Sequence, residues 1–176
     1  MRASGTKNLG TSNALMLLGW KSAIIICVHD MGKAALAVFL MRWIFPGAEL
    51  AAYVAGTAAV LGHIFPFYLK FKGGKGYASF LGMALALDWK FGLILLVAVG
   101  LLVFITDYIV AGTVMSVIAY PVYVGIIQNA WPAALIISVA SIVILIKHRK
   151  NCVRIWNNTE PLVSKVFSDK SEKPPA

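Results

Sequence analysis

Six apolar runs, separated by short polar or charged stretches, limit what this chain can fold into. The first extends from Trp20 to Phe45, and at about 1.5 Å per helical residue it is long enough to cross the ~30 Å hydrocarbon core of a bilayer. Because 60% of the 176 residues are hydrophobic and the mean hydropathy is +0.81, a soluble domain cannot bury this much apolar surface. We therefore predict an all-α fold: a polytopic helical integral membrane protein with about six transmembrane or half-transmembrane helices.

The distribution of charge indicates a membrane protein and argues against nucleic-acid binding. The net charge is +9, but the cations occur in short clusters between apolar runs rather than along one helical face. These clusters are Arg2 with Lys7, Lys70–Lys75 and Lys147–Arg154. The positive-inside rule places all three on the cytoplasmic side. We predict membrane lipids, and no nucleic acid, as partners of these surfaces.

The number of crossings between the second and third clusters must then be even. Three long apolar runs separate them, so a fourth crossing is required. The remaining apolar segment, Tyr77–Leu87, reaches only about half of the hydrocarbon thickness as a helix. We predict that it is a short or tilted crossing capped by Asp88, Trp89 and Lys90. We also predict one membrane domain over residues 1–160 and a polar C-terminal tail over residues 161–176.

A loop rich in lysine and glycine follows the second run. Three lysines and three glycines occur within the seven residues Lys70–Gly76. Glycines allow backbone N–H groups to converge on an anion, and lysines add positive charge, so the loop favours a phosphate site at a membrane surface. It is not a nucleotide-binding P-loop, because Leu69 and Gly76 stand where that motif needs Gly and Ser or Thr. The alternative is that these lysines only anchor the protein at the interface.

A few polar side chains interrupt the apolar runs. Asp30 and Lys33 lie one helical turn apart deep within the first run, so we predict that they pair and face the interior of the helix bundle. A structural ion pair and a direct catalytic role both remain open, as do a structural and a basic role for His63. Cys27 and Cys152 have no disulfide or metal-ligand spacing, and we predict no metal site and no cofactor.

The loop and the run before it together resemble a motif of a known enzyme family. A Gly-His-x-Phe-Pro segment leads into Phe-Lys-Gly-Gly-Lys-Gly, which is similar to the second signature of the bacterial acyl-phosphate-dependent glycerol-3-phosphate acyltransferases. The matching residues are Gly62, His63, Phe65, Pro66, Phe71, Lys72, Gly73, Gly74, Lys75 and Gly76.

The N-terminal segment resembles the first signature of that family, although by itself it is also typical of a polar tail with a helix cap. Gly5, Asn8, Gly10, Asn13 and Leu15 match it, and Thr6 keeps the hydroxyl of the family's Ser. Met16 replaces an Arg and so lacks a bidentate phosphate clamp. Family members carry a transmembrane helix ahead of this signature, so the resemblance indicates an N-terminally shortened or divergent member.

The end of the last run resembles the third signature, His-Arg-x-Asn-x-x-Arg followed by an acidic residue. His148, Arg149, Asn151, Arg154 and Glu160 match it. His148 and Asn151 are three residues apart and are predicted to project from one helical face. The alternative is a basic anchor for acidic lipid. A further family stretch is matched by Thr106, Tyr108 and the hydroxyl of Thr113, with Asp107 in place of an Arg.

The resemblance implies an enzyme of phospholipid biosynthesis in the inner (plasma) membrane, with its active face in the cytoplasm. Acyl phosphate and glycerol 3-phosphate would be its substrates, 1-acyl-glycerol 3-phosphate and phosphate its products. The base would be His148, His63 or a substrate phosphate oxygen. The residues implied as catalytic are His148, Asn151, Lys75, Thr6 and Thr113. The residues implied to bind substrate are Asn8, Gly10, Asn13, His63, Lys72, Gly73, Gly74, Gly76, Arg149 and Glu160.

Two alternative functions follow from the departures and from the charged pair. Met16 and the acidic Asp107 favour a catalytically weakened paralogue that still binds phosphorylated lipid precursors. The Asp30/Lys33 pair is compatible with a small membrane transporter or scaffold, although a transporter should show internal repeat symmetry and the sequence has none.

Overall fold

A computed structural model describes residues 10–165 of the chain. Within that range it contains helices and turns and no strand. The helices are α1 (Thr11–Leu18), α2 (Trp20–Ile44), α3 (Glu49–Ile64), α4 (Tyr77–Leu87), α5 (Trp89–Thr106), α6 (Ile109–Val122) and α7 (Trp131–Trp156), with a 3-10 turn at Phe67–Leu69 and a π-helical turn at Tyr123–Ile127.

Five of these segments are long and apolar enough to cross a membrane. They are Trp20–Ile44, Glu49–Leu69, Trp89–Thr106, Ile109–Ile127 and Trp131–Trp156, and α4 is a shorter apolar helix. This confirms the predicted all-α fold with about six full or half transmembrane helices.

Polar contacts at the helix ends show that α2, α4 and α6 end on one side of the bundle. Arg42, near the end of α2, donates hydrogen bonds to the carbonyls of Ala86 (2.7 Å) and Leu87 (3.0 Å) at the end of α4. Asp88, which follows α4, accepts hydrogen bonds of 2.9 Å from Tyr123 and Gln128 at the end of α6. We call this side the Arg42 face.

The opposite side, which we call the loop face, carries loop 70–76, the turn at Asp107 and the end of α7. Lys75 donates to the side-chain oxygen of Asn151 on α7 (2.6 Å), and Ser164 donates to Asp107. Thus α4 begins on the loop face and ends on the Arg42 face, as the parity argument predicted. Two of the three basic clusters lie on the loop face, and the Arg2/Lys7 cluster lies outside the described residues.

Helix α4 can be short because other helices surround it and Arg42 of α2 satisfies its last carbonyls. Eight of its eleven residues are buried, and it packs against α2, α3, α5 and α6. Gly82 allows the close approach to α2, since a Cβ there would lie 2.1 Å from the Met31 carbonyl oxygen. Asp88 differs in detail from the prediction: it caps α5 rather than α4, accepting a 3.1 Å hydrogen bond from the Phe91 amide.

Exposed tryptophans mark both ends of the bundle. Trp20 and Trp156 lie at the loop face, and Trp43, Trp89 and Trp131 lie at the Arg42 face. Tryptophan concentrates at membrane–water interfaces because its ring is apolar and its N–H is polar. The two groups of tryptophans therefore indicate the level of each membrane–water interface along the helix bundle.

Candidate active site

A pocket of about 200 Å³ lies among the helix ends of the loop face. Residues that are distant in sequence meet around it, from α1, α2, the end of α3, the start of α4, the start of α6 and the last third of α7. Its lining is formed by Gly10, Thr11, Leu15, Cys27, Asp30, His63, Lys75, Gly76, Tyr77, Ala78, Leu81, Ile109, Thr113 and His148.

Six of the residues predicted from sequence to act on substrate line this pocket. They are Gly10, His63, Lys75, Gly76, Thr113 and His148. Of the others, Thr6 and Asn8 lie outside the described residues, and Lys72 and Arg149 are exposed and do not line the pocket. Five more are at least partly buried and are not among the lining residues: Asn13, Gly73, Gly74, Asn151 and Glu160.

Lys75 is held in place by a chain of hydrogen bonds that ends at an ion pair. Its ammonium donates to the Asn151 side-chain oxygen, and the Asn151 amide donates to Glu160, both at 2.6 Å. The other Glu160 oxygen accepts from Arg154, also at 2.6 Å. Burial lowers the pKa of Lys75 to about 8, against the opposing effect of the Glu160 carboxylate. Both carboxylate oxygens of Glu160 are therefore engaged within the protein, one by Asn151 and the other by Arg154.

The loop glycines have a structural role of their own. The amides of Gly73 and Gly74 donate to the carbonyls of Ile64 (3.1 Å) and His63 (3.2 Å), which attaches the loop to the end of α3. A Cβ at position 73 would lie 2.1 Å from the His63 carbonyl oxygen, so only glycine allows this approach. Gly76 and the first two residues of α4, Tyr77 and Ala78, line the pocket, and the first amides of a helix have no acceptor within their own helix.

The hydrogen bonding of His148 defines which of its ring nitrogens carries the proton. This histidine is 5% exposed, and its Nδ1 lies 2.9 Å from the carbonyl oxygen of Ile144. Because a carbonyl oxygen can only accept, Nδ1 carries the proton, and Nε2 of the neutral ring keeps its lone pair. Asn151 is on the same helical face and equally buried, as predicted from the spacing.

The predicted ion pair between Asp30 and Lys33 is present and includes a third residue. The Lys33 ammonium lies 2.6 Å from Asp30 Oδ1 and 2.5 Å from Nδ1 of His63, and that nitrogen is 3.2 Å from the same Asp30 oxygen. Asp30 and His63 both line the pocket. Spacing along the chain gave no sign that His63, thirty residues after Lys33, joins this pair.

The remaining predicted polar residues are placed as follows. Thr113 is 1% exposed and donates to the Ile109 carbonyl (3.1 Å), which is the back-bonding expected of a helical threonine. Asp107 is not among the lining residues, and its carboxylate accepts hydrogen bonds from the amide (2.8 Å) and hydroxyl of Ser164. These hydrogen bonds hold the pKa of that carboxyl below its usual value. Met16 is half-buried and outside the lining, whereas its neighbour Leu15 belongs to it.

Four polar lining residues were not among the predicted site residues: Thr11, Cys27, Asp30 and Tyr77. Asp30 had a usable signal, since a charge within a transmembrane run indicates function. Thr11 and Tyr77 are immediate neighbours of signature residues. Tyr77 is further linked to α6 by a 3.0 Å hydrogen bond with Ser116.

A bundle of membrane-spanning helices with an ammonium group and two imidazoles around a pocket at one membrane face defines the class: an integral membrane enzyme suited to anionic substrates. Comparison with known proteins then gives the family. The pattern of the family described as Glycerol-3-phosphate acyltransferase matches residues 1–158. The chain belongs to the glycerol-3-phosphate acyltransferase family and is an integral membrane acyltransferase.

Individual relatives agree with this assignment over most of their length. The chain is 30% identical to Glycerol-3-phosphate acyltransferase 1 of Oceanobacillus iheyensis, over 97% of this chain and 86% of the relative. It is 37% identical to Glycerol-3-phosphate acyltransferase of Jannaschia sp., over 94% of this chain and 80% of the relative.

Two solved structures share the fold. Both are of PlsY (YgiH), an integral membrane glycerol 3-phosphate acyltransferase. The glycerol 3-phosphate form has a TM-score of 0.85 and 24% identity, over 92% of this chain and 80% of that one. The lysophosphatidic acid form has a TM-score of 0.82 and 25% identity, over 93% and 84%.

Proposed function

We propose that this pocket is where an acyl phosphate transfers its acyl group to the primary hydroxyl of glycerol 3-phosphate. The observation that carries the proposal is the meeting of three distant sequence signatures around one cavity: Gly10 from the first, His63, Lys75 and Gly76 from the second, and His148 from the third. The glycerol 3-phosphate and lysophosphatidic acid forms of the solved relative correspond to an acceptor and a product of this reaction.

Lys75 is proposed to bind a phosphate oxygen of the substrates, together with the first amides of α4. An ammonium and a helix N-terminus both favour an anion, and neither needs a metal ion to do so. Asn151 and Glu160 position Lys75 rather than meeting the substrate. Lys72 and Arg149, exposed on the loop face, are proposed to attract anionic substrates and lipid headgroups to the pocket.

His148 is proposed to accept a hydrogen bond from the primary hydroxyl of the acceptor, through the lone pair on Nε2. The hydroxyl oxygen attacks the acyl carbon, forming the new ester bond, and the bond between that carbon and the phosphate oxygen breaks. The proton lost by the hydroxyl is taken up by the leaving phosphate, so charge and atoms balance. Because the mixed anhydride is already activated, no covalent intermediate and no cofactor is required. Thr113, Gly10 and Asn13 are proposed to shape the acceptor side, as are Thr6 and Asn8.

The loop face is proposed to be the cytoplasmic face of the inner (plasma) membrane. Two basic clusters lie on it, which agrees with the positive-inside rule. Labelling of single-cysteine variants at Gly47 and Lys72 tests this: a membrane-impermeant maleimide should label position 47 from outside intact cells and position 72 only after permeabilisation. Labelling of both positions from one side would refute the topology. Residues 1–160 are proposed to form the catalytic domain, and residues 161–176 a tail.

Steady-state release of phosphate from acyl phosphate in proteoliposomes tests the activity. Lys75→Ala should abolish glycerol 3-phosphate-dependent release, because it removes the one lysine that lines the pocket within residues 10–165. Lys70→Ala is the matched control in the same loop, and since Lys70 is exposed, it should lower the rate only weakly. Equal losses in both variants, with folding intact, would show that the loop is an interfacial anchor and not a site.

The second candidate function is that of a catalytically weakened acyltransferase, and it is favoured by Met16, which stands where the family signature has Arg. An Arg at this position would add charge-assisted hydrogen bonds, each worth about 1.5–3 kcal/mol. If the position is used as the family signature implies, Met16→Arg raises kcat/KM for glycerol 3-phosphate by about tenfold or more, with Met16→Gln as the uncharged control. An unchanged or lower value would show that this chain does not use position 16 for phosphate.

A further inference from the structure

The cluster of Asp30, Lys33 and His63 is a compact triangle of ionisable groups beside the pocket. The side chains of Asp30 and His63 are 8% and 10% exposed, and that of Lys33 is 32% exposed. Two members, Asp30 and His63, reach the pocket lining, and the Lys33 ammonium contacts both of them. None of the roles derived above uses Asp30 or Lys33.

The contacts of Lys33 determine which nitrogen of His63 carries a proton. Nδ1 of His63 has two neighbours, the Lys33 ammonium at 2.5 Å and Asp30 Oδ1 at 3.2 Å. An ammonium can only donate hydrogen bonds, so we take the shorter contact as decisive and assign Nδ1 as an acceptor. Asp30 accepts a second hydrogen bond from the same ammonium (2.6 Å), which orients the Lys33 side chain. With Nδ1 accepting, the proton of the neutral His63 ring is on Nε2, at the opposite edge of the ring.

The two pocket histidines then present opposite chemistry. His148 has its proton on Nδ1, bonded to a carbonyl, and keeps a lone pair on Nε2. His63 has its lone pair on Nδ1, bonded to an ammonium, and keeps an N–H on Nε2. One ring suits a hydroxyl that must donate, and the other suits an oxygen that can only accept, such as one on a phosphate group.

We propose that Asp30 and Lys33 are positioning residues that fix His63 as a hydrogen-bond donor to a phosphate oxygen of a bound substrate. The pair acts through His63 and does not itself touch the substrate. The proposal rests on the function proposed for the pocket, but it makes a statement about the resting protein that can be measured without turnover.

The first test is the tautomer of each histidine in the natural chain. The protein, with its three histidines labelled with ¹⁵N, is placed in nanodiscs, and the ring nitrogens are assigned from His63→Gln and His148→Gln. We expect the proton on Nε2 of His63 and on Nδ1 of His148. Inorganic phosphate and glycerol 3-phosphate should each shift the His63 Nε2–H resonance. A His63 proton on Nδ1, or no shift with either anion, overturns the proposal.

The second test removes the Lys33 ammonium, which donates the hydrogen bond to Nδ1 of His63. Lys33→Met keeps the aliphatic part of the side chain but removes the ammonium. The proton of His63 should then no longer be fixed on Nε2, while the tautomer of His148 should stay unchanged. The KM of one phosphorylated substrate should rise by about tenfold or more, the loss expected for a hydrogen bond to an ionised group. Separate KM values for acyl phosphate and glycerol 3-phosphate identify which phosphate is bound. Lys33→Arg should restore much of the affinity, and Lys90→Met, on the Arg42 face, should match the natural chain.

The outcomes separate this inference from the proposed function. An unchanged His63 tautomer and KM in Lys33→Met refute the positioning role even if the chain is an active acyltransferase. Conversely, the expected tautomers and phosphate-induced shifts in a chain that releases no phosphate from acyl phosphate would refute the proposed function and leave the assignment of His63 as a donor intact. Should Lys33→Met fail to fold, the tautomers of the natural chain still decide the question.

Discussion

The low pKa of Lys75 makes a quantitative prediction about the pH dependence of catalysis. Burial places this pKa at about 8, so the ammonium is lost as the pH rises through that value. About 90% of the free enzyme carries the charge at pH 7, and about 10% at pH 9. If the charge is needed to bind phosphate, kcat/KM should fall by about tenfold between these two values, because that ratio reports ionisation of the free enzyme.

Lys75→Arg tests the assignment of this alkaline decline. A guanidinium stays charged throughout the range, so the decline should disappear, even if the lower fit of arginine reduces the rate at every pH. Lys70→Arg, in the same loop but exposed, should keep the profile of the natural chain. The substrates are dianions over this range, since the second pKa of a phosphate group is about 6, and their ionisation does not contribute to the decline.

The assay is initial phosphate release in proteoliposomes with the same buffer on both sides. Spontaneous hydrolysis of acyl phosphate is subtracted at each pH, and residual activity after return to pH 7 shows that the protein has survived. A flat profile from pH 7 to 9 in the natural chain would refute the combined statement that the Lys75 charge is needed for binding and is lost near pH 8. An identical decline in Lys75→Arg would assign the titration to another group.

Three further substitutions test supporting features. Glu160→Gln should lower kcat/KM by about tenfold, because the hydrogen bond from Asn151 weakens without the carboxylate charge and the one from Arg154 is lost if the amide nitrogen faces it. Glu49→Gln, exposed on the Arg42 face, is the control. Gly82→Ala should destabilise the protein by about 1–3 kcal/mol in thermal unfolding, since its Cβ would meet the α2 backbone, whereas Gly32→Ala has open space and should not. Asp107→Asn should change the phosphate-release rate by less than about twofold, because a carboxylate on the surface outside the pocket contributes little.

Much of the fold followed from the sequence because a bilayer allows few alternatives. Apolar length and the parity of basic clusters predicted even the short crossing Tyr77–Leu87, which is α4. The same patterns contain no information on how α4 ends. Its last carbonyls bind Arg42, more than forty residues earlier, and only packing of α2 against α4 brings these groups together.

The site was predictable to the extent that its residues occur in local motifs. His63, Lys75 and His148, which the sequence places in two of the family motifs, line one pocket, and their roles stay predictions. Arg149 belongs to the same motif as His148 but is exposed, because neighbouring residues on a helix point about 100° apart. The contact of His63 with Lys33 depends on the approach of α2 and α3, and no spacing in the sequence expresses it.

The two hydrogen bonds from Arg42 to the end of α4 have a consequence for the order in which the helices insert into the membrane during synthesis. A helix of eleven residues is too short to partition into lipid by itself, and each bare carbonyl left in hydrocarbon costs several kcal/mol. The group that satisfies those carbonyls belongs to α2, which leaves the ribosome before α4 does. We expect α4 to insert into the membrane only by packing against α2 and α3, which are already inserted. Synthesis from the N-terminus thus supplies the partner before it is needed, and a permuted chain that began at α4 would have to insert it without one.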